Sequence, residues 1–396
     1  VVQSDGRPLV LAAERGPIED LVGSLLSAWY HDTAPDEAIA RRVDRLGIAG
    51  NAGYGSRRVE RDLMARRPAP VRVAGQARRL MQHAARLVRR ARETWPADLA
   101  ADTRPLVYVN ASHEGVARHP GGLDDLAGGR PLRVASYLHD IMPIEVPQFS
   151  RPDQIASFEA FLGEFVCHRT AFAVNSQATA GSLAAYLGRR TPGDAVDPEV
   201  ICPGVGRAPR NASPRPIPAT ANFVVLGTIE PRKNHLMLLE IWRELVGEDG
   251  ASAPRLLIIG RRGWESAAVA DLIDGCPELA PYVTEEAELA DAEVRRRLAG
   301  ATALLFPSFA EGFGLPVVEA AGLGVPVIAS DLPVFAEIVA DGMTRLQPGD
   351  KAAWKTAIRE AARQPETLRA PVLSPDLDDW PAQARRFTQF VERAWR

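Results

Sequence analysis

The chain is nearly without lysine: only Lys233, Lys351 and Lys355 occur, and arginine supplies the other 44 of its 47 basic residues. A lone arginine therefore says little about a site here, and a lysine says more. Cysteine is also scarce. Cys167, Cys202 and Cys276 are far apart and form no metal-spaced cluster. An odd, sparse set suits a reducing cytoplasm, with all three expected as small core side chains. No run of about 18 apolar residues occurs, so no membrane-spanning helix is expected. The opening Val1-Val2-Gln3-Ser4-Asp5-Gly6 is followed by only a short apolar stretch, so no secretory leader is read there. Neither sign of charge prevails, and a net charge of −3 gives no pull toward nucleic acid.

What is present fits a globular protein. A 46% hydrophobic share excludes wholesale disorder and collagen-like structure. A length of 396 residues favours two domains over one. In the second half, short aliphatic runs at 223–229, 255–259, 303–306 and 325–329 alternate with helix-period stretches at 236–245 and 292–298. That alternation predicts a parallel sheet flanked by helices, and the nearly continuous apolar runs predict strands buried on both faces. The first half alternates less cleanly. Strands are expected at 8–12, 106–109, 133–138 and 171–174, and helices at 18–29, 75–92, 155–169 and 178–187. Between the halves, residues 207–218 carry four prolines and no periodicity, as in a semi-rigid linker. Domains are accordingly expected at 1–212 and 219–374, with a final helix over 376–396.

A basic stretch, 57–92, holds twelve arginines against Glu60 and Asp62. Its latter part gathers Leu80, Ala84, Leu87 and Ala91 on one helix face. This pattern reads either as a peripheral contact with anionic lipid at the inner membrane or as a solvated helix face.

Two segments carry chemistry. In Phe223-Val-Val-Leu-Gly-Thr-Ile-Glu-Pro-Arg-Lys-Asn234 a buried strand ends at Gly227-Thr228, and Arg232-Lys233 precede a helix. Asn234 is the expected N-cap, and Leu236, Leu239 and Trp242 the expected core face. Two cations at a helix start oppose the helix dipole unless an anion sits there with them. Charge-assisted hydrogen bonds are worth about 1.5–3 kcal/mol each, enough for two to hold a diphosphate. The alternative is an exposed basic turn. The second segment is Phe306-Pro-Ser-Phe-Ala-Glu-Gly-Phe-Gly-Leu-Pro-Val-Val-Glu-Ala320. Glu311 and Glu319 flank a glycine turn that opens a helix near Pro316. Carboxylates accept hydrogen bonds from hydroxyls, so the two segments together match a ligand carrying both phosphates and hydroxyls.

The Glu311–Glu319 spacing, with seven residues between, and the interior Gly-Phe-Gly-Leu-Pro resemble the signature of family-4 retaining glycosyltransferases of the GT-B fold (glycosyl transferases group 1). The 227–234 segment, Leu256-Leu-Ile-Ile-Gly-Arg-Arg-Gly-Trp264, Tyr137-Leu-His-Asp-Ile-Met-Pro-Ile-Glu-Val-Pro147, Val174-Asn-Ser-Gln-Ala-Thr179 and Val200-Ile-Cys-Pro-Gly-Val205 resemble that family's pattern, in order.

The resemblance implies two Rossmann-like parallel-sheet domains facing a cleft, with a C-terminal helix crossing back to the first. It implies a donor site of Gly227, Thr228, Arg232, Lys233, Arg262, Glu311, Gly312, Phe313, Gly314, Leu315 and Glu319. In it Arg232 and Lys233 neutralise the leaving diphosphate, Glu311 bonds sugar hydroxyls and Glu319 the ribose. Main-chain N–H groups of the glycine turn meet sugar and phosphate, and Arg262 and Trp264 border the nucleobase. His139 is expected beside the reacting sugar, the alternative being a structural histidine bonded to Asp140. No metal and no cofactor are expected beyond the nucleotide-sugar substrate.

The implied activity is metal-independent, retaining transfer to a glycan or lipid-linked saccharide in envelope polysaccharide synthesis. The other readings are a non-catalytic nucleotide-sugar-binding subunit and a sugar-nucleotide epimerase on the same fold. The family opens with a strand and a glycine-rich loop. Gly50-Asn-Ala-Gly-Tyr-Gly55 follows no convincing strand and the chain starts at Val1, so the first βα unit is expected to be missing or supplied from elsewhere.

Overall fold

The computed structural model describes residues 2–4, 7–9, 106–111, 121–168, 170–191, 196–205 and 220–395. The basic stretch 57–92, the glycine cluster 50–55, the helical patterns at 18–29 and 75–92 and the linker 207–218 lie outside the described residues.

Strands β1 (Val2–Ser4) and β2 (Arg7–Leu9) pair antiparallel. The strand expected at 8–12 overlaps β2 at Pro8 and Leu9. A second sheet has the order β3 (Leu106–Asn110), β4 (Leu132–Leu138), β5 (Ala171–Val174), β6 (Glu199–Val200). Within it β3 runs parallel to β4 and β5 to β6. Its associated helices are α1 (Gly122–Ala127), α2 (Met142–Glu145), α3 (Pro152–Cys167) and α4 (Gln177–Arg190). In α3, Phe158, Phe161, Leu162 and Phe165 follow the 3–4 residue spacing of one helix face, and all are buried.

The third sheet is the larger. Its strands are β7 (Asn222–Leu226), β8 (Arg255–Ile259), β9 (Val283–Glu286), β10 (Ala303–Phe306), β11 (Val327–Ser330) and β13 (Thr344–Leu346). They lie in the order β13-β11-β10-β7-β8-β9 and every pair is parallel. The short strands β12 (Val339–Asp341) and β14 (Val372–Leu373) pair antiparallel beside it. Helices α5 (His235–Asp249), α6 (Ala267–Gly275), α7 (Asp291–Ala299), α8 (Leu315–Gly322), α9 (Pro333–Ile338), α10 (Lys351–Arg363) and α11 (Trp380–Trp395) complete the described chain.

Along β7, Phe223 and Val225 enter one apolar cluster and Val224 the other, so both faces are covered by helices. Trp242 of α5 is fully buried, meets Phe223 edge-on at 5.8 Å and donates its indole N–H to Pro254 O at 2.8 Å.

Four expectations need correction. Strand β7 stops at Leu226 rather than running to 229, because Gly227 turns the backbone at φ +144°. Leu236 is 38% exposed and leaves the core face of α5, which Leu239 and Trp242 keep. Asn234 sits at the head of α5 with φ 58° and no capping bond; its amide instead donates to Pro348 O at 2.8 Å. The three cysteines are free thiols but not core residues: Cys167 is exposed, and Cys202 and Cys276 are half-buried.

The described chain forms two compact units. The first comprises 1–137, 156–172 and 389–396, and the second 138–155 and 173–388. Everything that follows concerns the second.

Candidate functional site

In an open parallel sheet, ligands gather beyond the carboxyl ends of the strands. At the end of β7, Gly227 and the exposed Thr228 lead into a 3-10 turn, Pro231–Lys233, directly before α5. At the end of the adjacent β10, residues 307–314 form the loop that carries Glu311.

The two loops are bolted together by Arg232. Its Nη1 donates to Ala310 O at 2.7 Å and lies 3.0 Å from Glu311 Oε1. Its Nη2 donates to Glu230 at 2.7 Å, and its own carbonyl accepts from Phe309 N at 2.8 Å. Lys233 donates to the same Glu311 Oε1 at 2.6 Å, with its ammonium 4.4 Å from the centre of the Phe306 ring. Side-chain exposures of 16% for Arg232, 11% for Lys233 and 8% for Glu311 make this a buried triad.

Burial by itself pushes the Glu311 carboxyl up, but Lys233 and Arg232 outweigh it and hold the group ionised, below its ordinary value. Burial and the neighbouring Arg232 pull Lys233 below the usual ammonium range, against the attraction of Glu311. Two positive groups thus share one carboxylate oxygen. With Glu230 on the other side of Arg232, the four charges balance, and the two cations lie side by side at the strand ends.

The glycine turn is pressed against a second surface. A Cβ at Gly312 would lie 2.4 Å from His139 O, so no larger residue fits. Gly314 adopts φ +94°, and a Cβ there would lie 2.5 Å from the Phe335 ring. Phe313 is buried in the core, which leaves only its backbone for a ligand, whereas Leu315 at the start of α8 is 43% exposed. His139 follows β4 directly, its side chain exposed and its carbonyl accepting from the Asn175 amide. Asp140 accepts from Met142 N at 3.0 Å.

The structure therefore brings Arg232, Lys233, Glu311, Gly312 and the His139 backbone to one place. Two candidates stand apart from that cluster. Glu319, on α8, is exposed; burial of its surroundings and the nearby Asp291 raise its carboxyl above the ordinary value, with Arg295 opposing. Arg262 is held by Asp274 at 2.6 Å and Glu285 at 2.6 Å, so its guanidinium is already spent on carboxylates.

Reasoning from sequence missed His235. It is 1% exposed, and among the described residues neither ring nitrogen has a hydrogen-bond partner. Burial, with Lys233 adding repulsion, pushes its pKa down to about 4. Its place two residues after Lys233 was visible; its burial depended on the helix packing. Among the described residues, no group of three or more His, Cys, Asp or Glu could hold a metal ion, and no helix is long and apolar enough to cross a membrane.

Known proteins resemble parts of this chain. Residues 220–364 match the family described as Glycosyl transferases group 1. The serotype-specific mannosyltransferase WbdA of Escherichia coli is 30% identical over 220 residues, 51% of this chain and 26% of that protein. The O-antigen chain mannosyltransferase B of Escherichia coli is 35% identical over 130 residues, 32% of each chain. This chain thus spans well under half of the curated relatives it matches. Among solved structures, sucrose-phosphate synthase from Thermosynechococcus elongatus superposes with a TM-score of 0.57 at 19% identity, covering 76% of this chain and 77% of that one. The chain has the α/β architecture of the GT-B fold, and its residues 220–364 match the glycosyl transferases group 1 family.

Proposed function

We propose that the protein is a retaining glycosyltransferase, moving a sugar from a nucleotide-sugar donor to a glycan or lipid-linked saccharide in cell-surface polysaccharide assembly. The observation that carries this reading is the buried Arg232–Lys233–Glu311 triad at the carboxyl ends of β7 and β10, beside a glycine turn. The O-antigen mannosyltransferases that the domain resembles support the polysaccharide context.

In the reaction, the bond between the anomeric carbon and the diphosphate breaks as the acceptor hydroxyl bonds to that carbon from the same face. Negative charge grows on the departing diphosphate, and the Arg232 and Lys233 cations stabilise it there. The departing phosphate oxygen takes the proton of the acceptor hydroxyl, so atoms and charge balance. Both cations meet Glu311 on Oε1, which leaves Oε2 to accept from a sugar hydroxyl. Glu319, open to solvent on α8, serves the ribose, and backbone N–H groups of the glycine turn serve sugar and phosphate oxygens. His139 stands at the reacting sugar. The cations replace a divalent ion, so the chemistry is metal-independent.

The test is to incubate the protein with UDP-, GDP- and dTDP-sugars with and without a lipid-linked saccharide. Nucleotide release that requires the acceptor supports transfer. Tight donor binding without release in its presence contradicts it and leaves a binding subunit.

A further inference from the structure

Behind the glycine turn, and outside the proposed donor contacts, lies a chain of buried polar side chains. Ser176, Asn175 and Thr179 are at most 6% exposed. Ser176 Oγ lies 2.9 Å from Gly312 O and 2.9 Å from Thr179 Oγ1, and Thr179 Oγ1 lies 3.0 Å from Asn175 Oδ1. Each hydroxyl has one proton to give. The Gly312 carbonyl has none and accepts; Ser176 Oγ is the near donor at 2.9 Å, with Thr179 Oγ1 farther off at 3.5 Å. The Thr179 hydroxyl then donates to Asn175 Oδ1, and the Asn175 amide donates to His139 O. Ser176 Oγ also accepts from Thr179 N at 3.1 Å, capping α4.

That helix start is itself held from behind. The Glu337 carboxylate of α9 accepts from Gln177 N and Ala178 N, both at 2.7 Å. The same short helix sets Phe335 against Gly314. Gly312 and Gly314 are thus gripped from two sides by α4 and α9.

A trans peptide is planar, with its C=O and N–H pointing in opposite directions. A Gly312 carbonyl fixed toward Ser176 therefore turns the Phe313 N–H the other way. Among the described residues that N–H has no partner.

We propose that Ser176 is a positioning residue for the donor site: by holding the Gly312 carbonyl it presents the Phe313 N–H to an oxygen of the nucleotide sugar, with Glu337 fixing Ser176 in place. The inference rests on the donor reading above and adds two residues to it that touch no substrate.

The experiment compares wild type with Ser176→Ala, Ser176→Thr, Thr179→Val and Glu337→Gln. Amide exchange is measured over 311–316 and over β7 and β10. Binding of UDP-glucose and GDP-mannose is measured by calorimetry. Ser176→Ala is expected to speed exchange at the turn and to weaken donor binding, each about tenfold, as for loss of one buried hydrogen bond. Exchange in β7 and β10 stays at wild-type rates, Ser176→Thr restores both readouts, and Glu337→Gln shifts them in the same direction by less. Thr179→Val leaves the Ser176–Gly312 bond in place and keeps wild-type protection at the turn. Should Ser176→Ala fail to fold, Ser176→Thr and Glu337→Gln still decide. Wild-type exchange at the turn in Glu337→Gln, or in a folded Ser176→Ala, overturns the proposal, as does donor affinity within about twofold of wild type in Ser176→Ala. A wild-type protein that binds neither sugar nucleotide removes the donor reading instead, and the exchange rates then decide whether Ser176 and Glu337 hold the turn.

Discussion

Lys233 Nζ lies 2.6 Å from Glu311 Oε1, joining two residues 78 positions apart in sequence and both nearly buried. The pair joins the loop after β7 to the loop after β10. Removing one partner leaves an uncompensated buried charge on the other. Glu311→Gln should therefore lose transfer by at least about 100-fold, through the group that orders the cations. It should also lower unfolding stability by about 3 kcal/mol, typical of a broken buried pair. Steady-state kinetics and urea denaturation check the two effects, and near wild-type turnover would remove Glu311 from the site.

His235 gives a pH dependence with a definite sign. Its folded pKa is depressed from 6.5 to about 4, so the unfolded chain takes up a proton first as pH falls. Stability contributed by the neutral ring is fully present above pH 6.5 and is lost between there and pH 4, by about 3 kcal/mol in all. Glu311, held below its ordinary 4.5, loses its contribution only at lower pH. Urea unfolding from pH 7.5 to 4 should show the decline in wild type and a shallower one in His235→Phe. Parallel curves would contradict the assignment.

Two glycine substitutions should act in opposite directions. At Gly312 a methyl group would lie 2.4 Å from His139 O, so Gly312→Ala should cost about 1–3 kcal/mol and weaken donor binding. At Gly181, exposed inside α4 with nothing within 4 Å, alanine should stabilise by up to about 1 kcal/mol. Thermal unfolding of both variants measures the contrast; equal shifts would mean that the turn is not tightly seated.

Transfer should persist in EDTA at a rate within about twofold of the untreated enzyme, because side-chain cations neutralise the leaving group. Complete loss, restored by a divalent ion, would overturn the metal-independent mechanism.

Much of this was legible in the sequence. Strands β7, β8, β10 and β11 are continuous apolar runs because helices cover both sheet faces, and such runs announce themselves. Strands β9 and β13 did not: Val-Thr-Glu-Glu and Thr-Arg-Leu lie at the two edges of the sheet, where one side needs no apolar neighbour. The basic turn and the acid-flanked glycine turn stood out through spacing, which survives without any knowledge of packing. What spacing does not show is who meets whom. Nothing in the sequence ties Ser176 to Gly312, or Glu337 to the start of α4, because those bonds depend on how distant elements pack. Arg262 illustrates the converse, a well-placed cation whose bonds go to Asp274 and Glu285.

The central claim is that the turn before α5 clasps a diphosphate through Lys233. Calorimetric titration of UDP and GDP into wild type, Lys233→Met and the control Lys355→Met tests it most directly. The account predicts binding of at least one nucleotide by wild type and Lys355→Met alike, weakened about tenfold or more in Lys233→Met, as for loss of one charge-assisted bond. Equal affinity in all three proteins would contradict it.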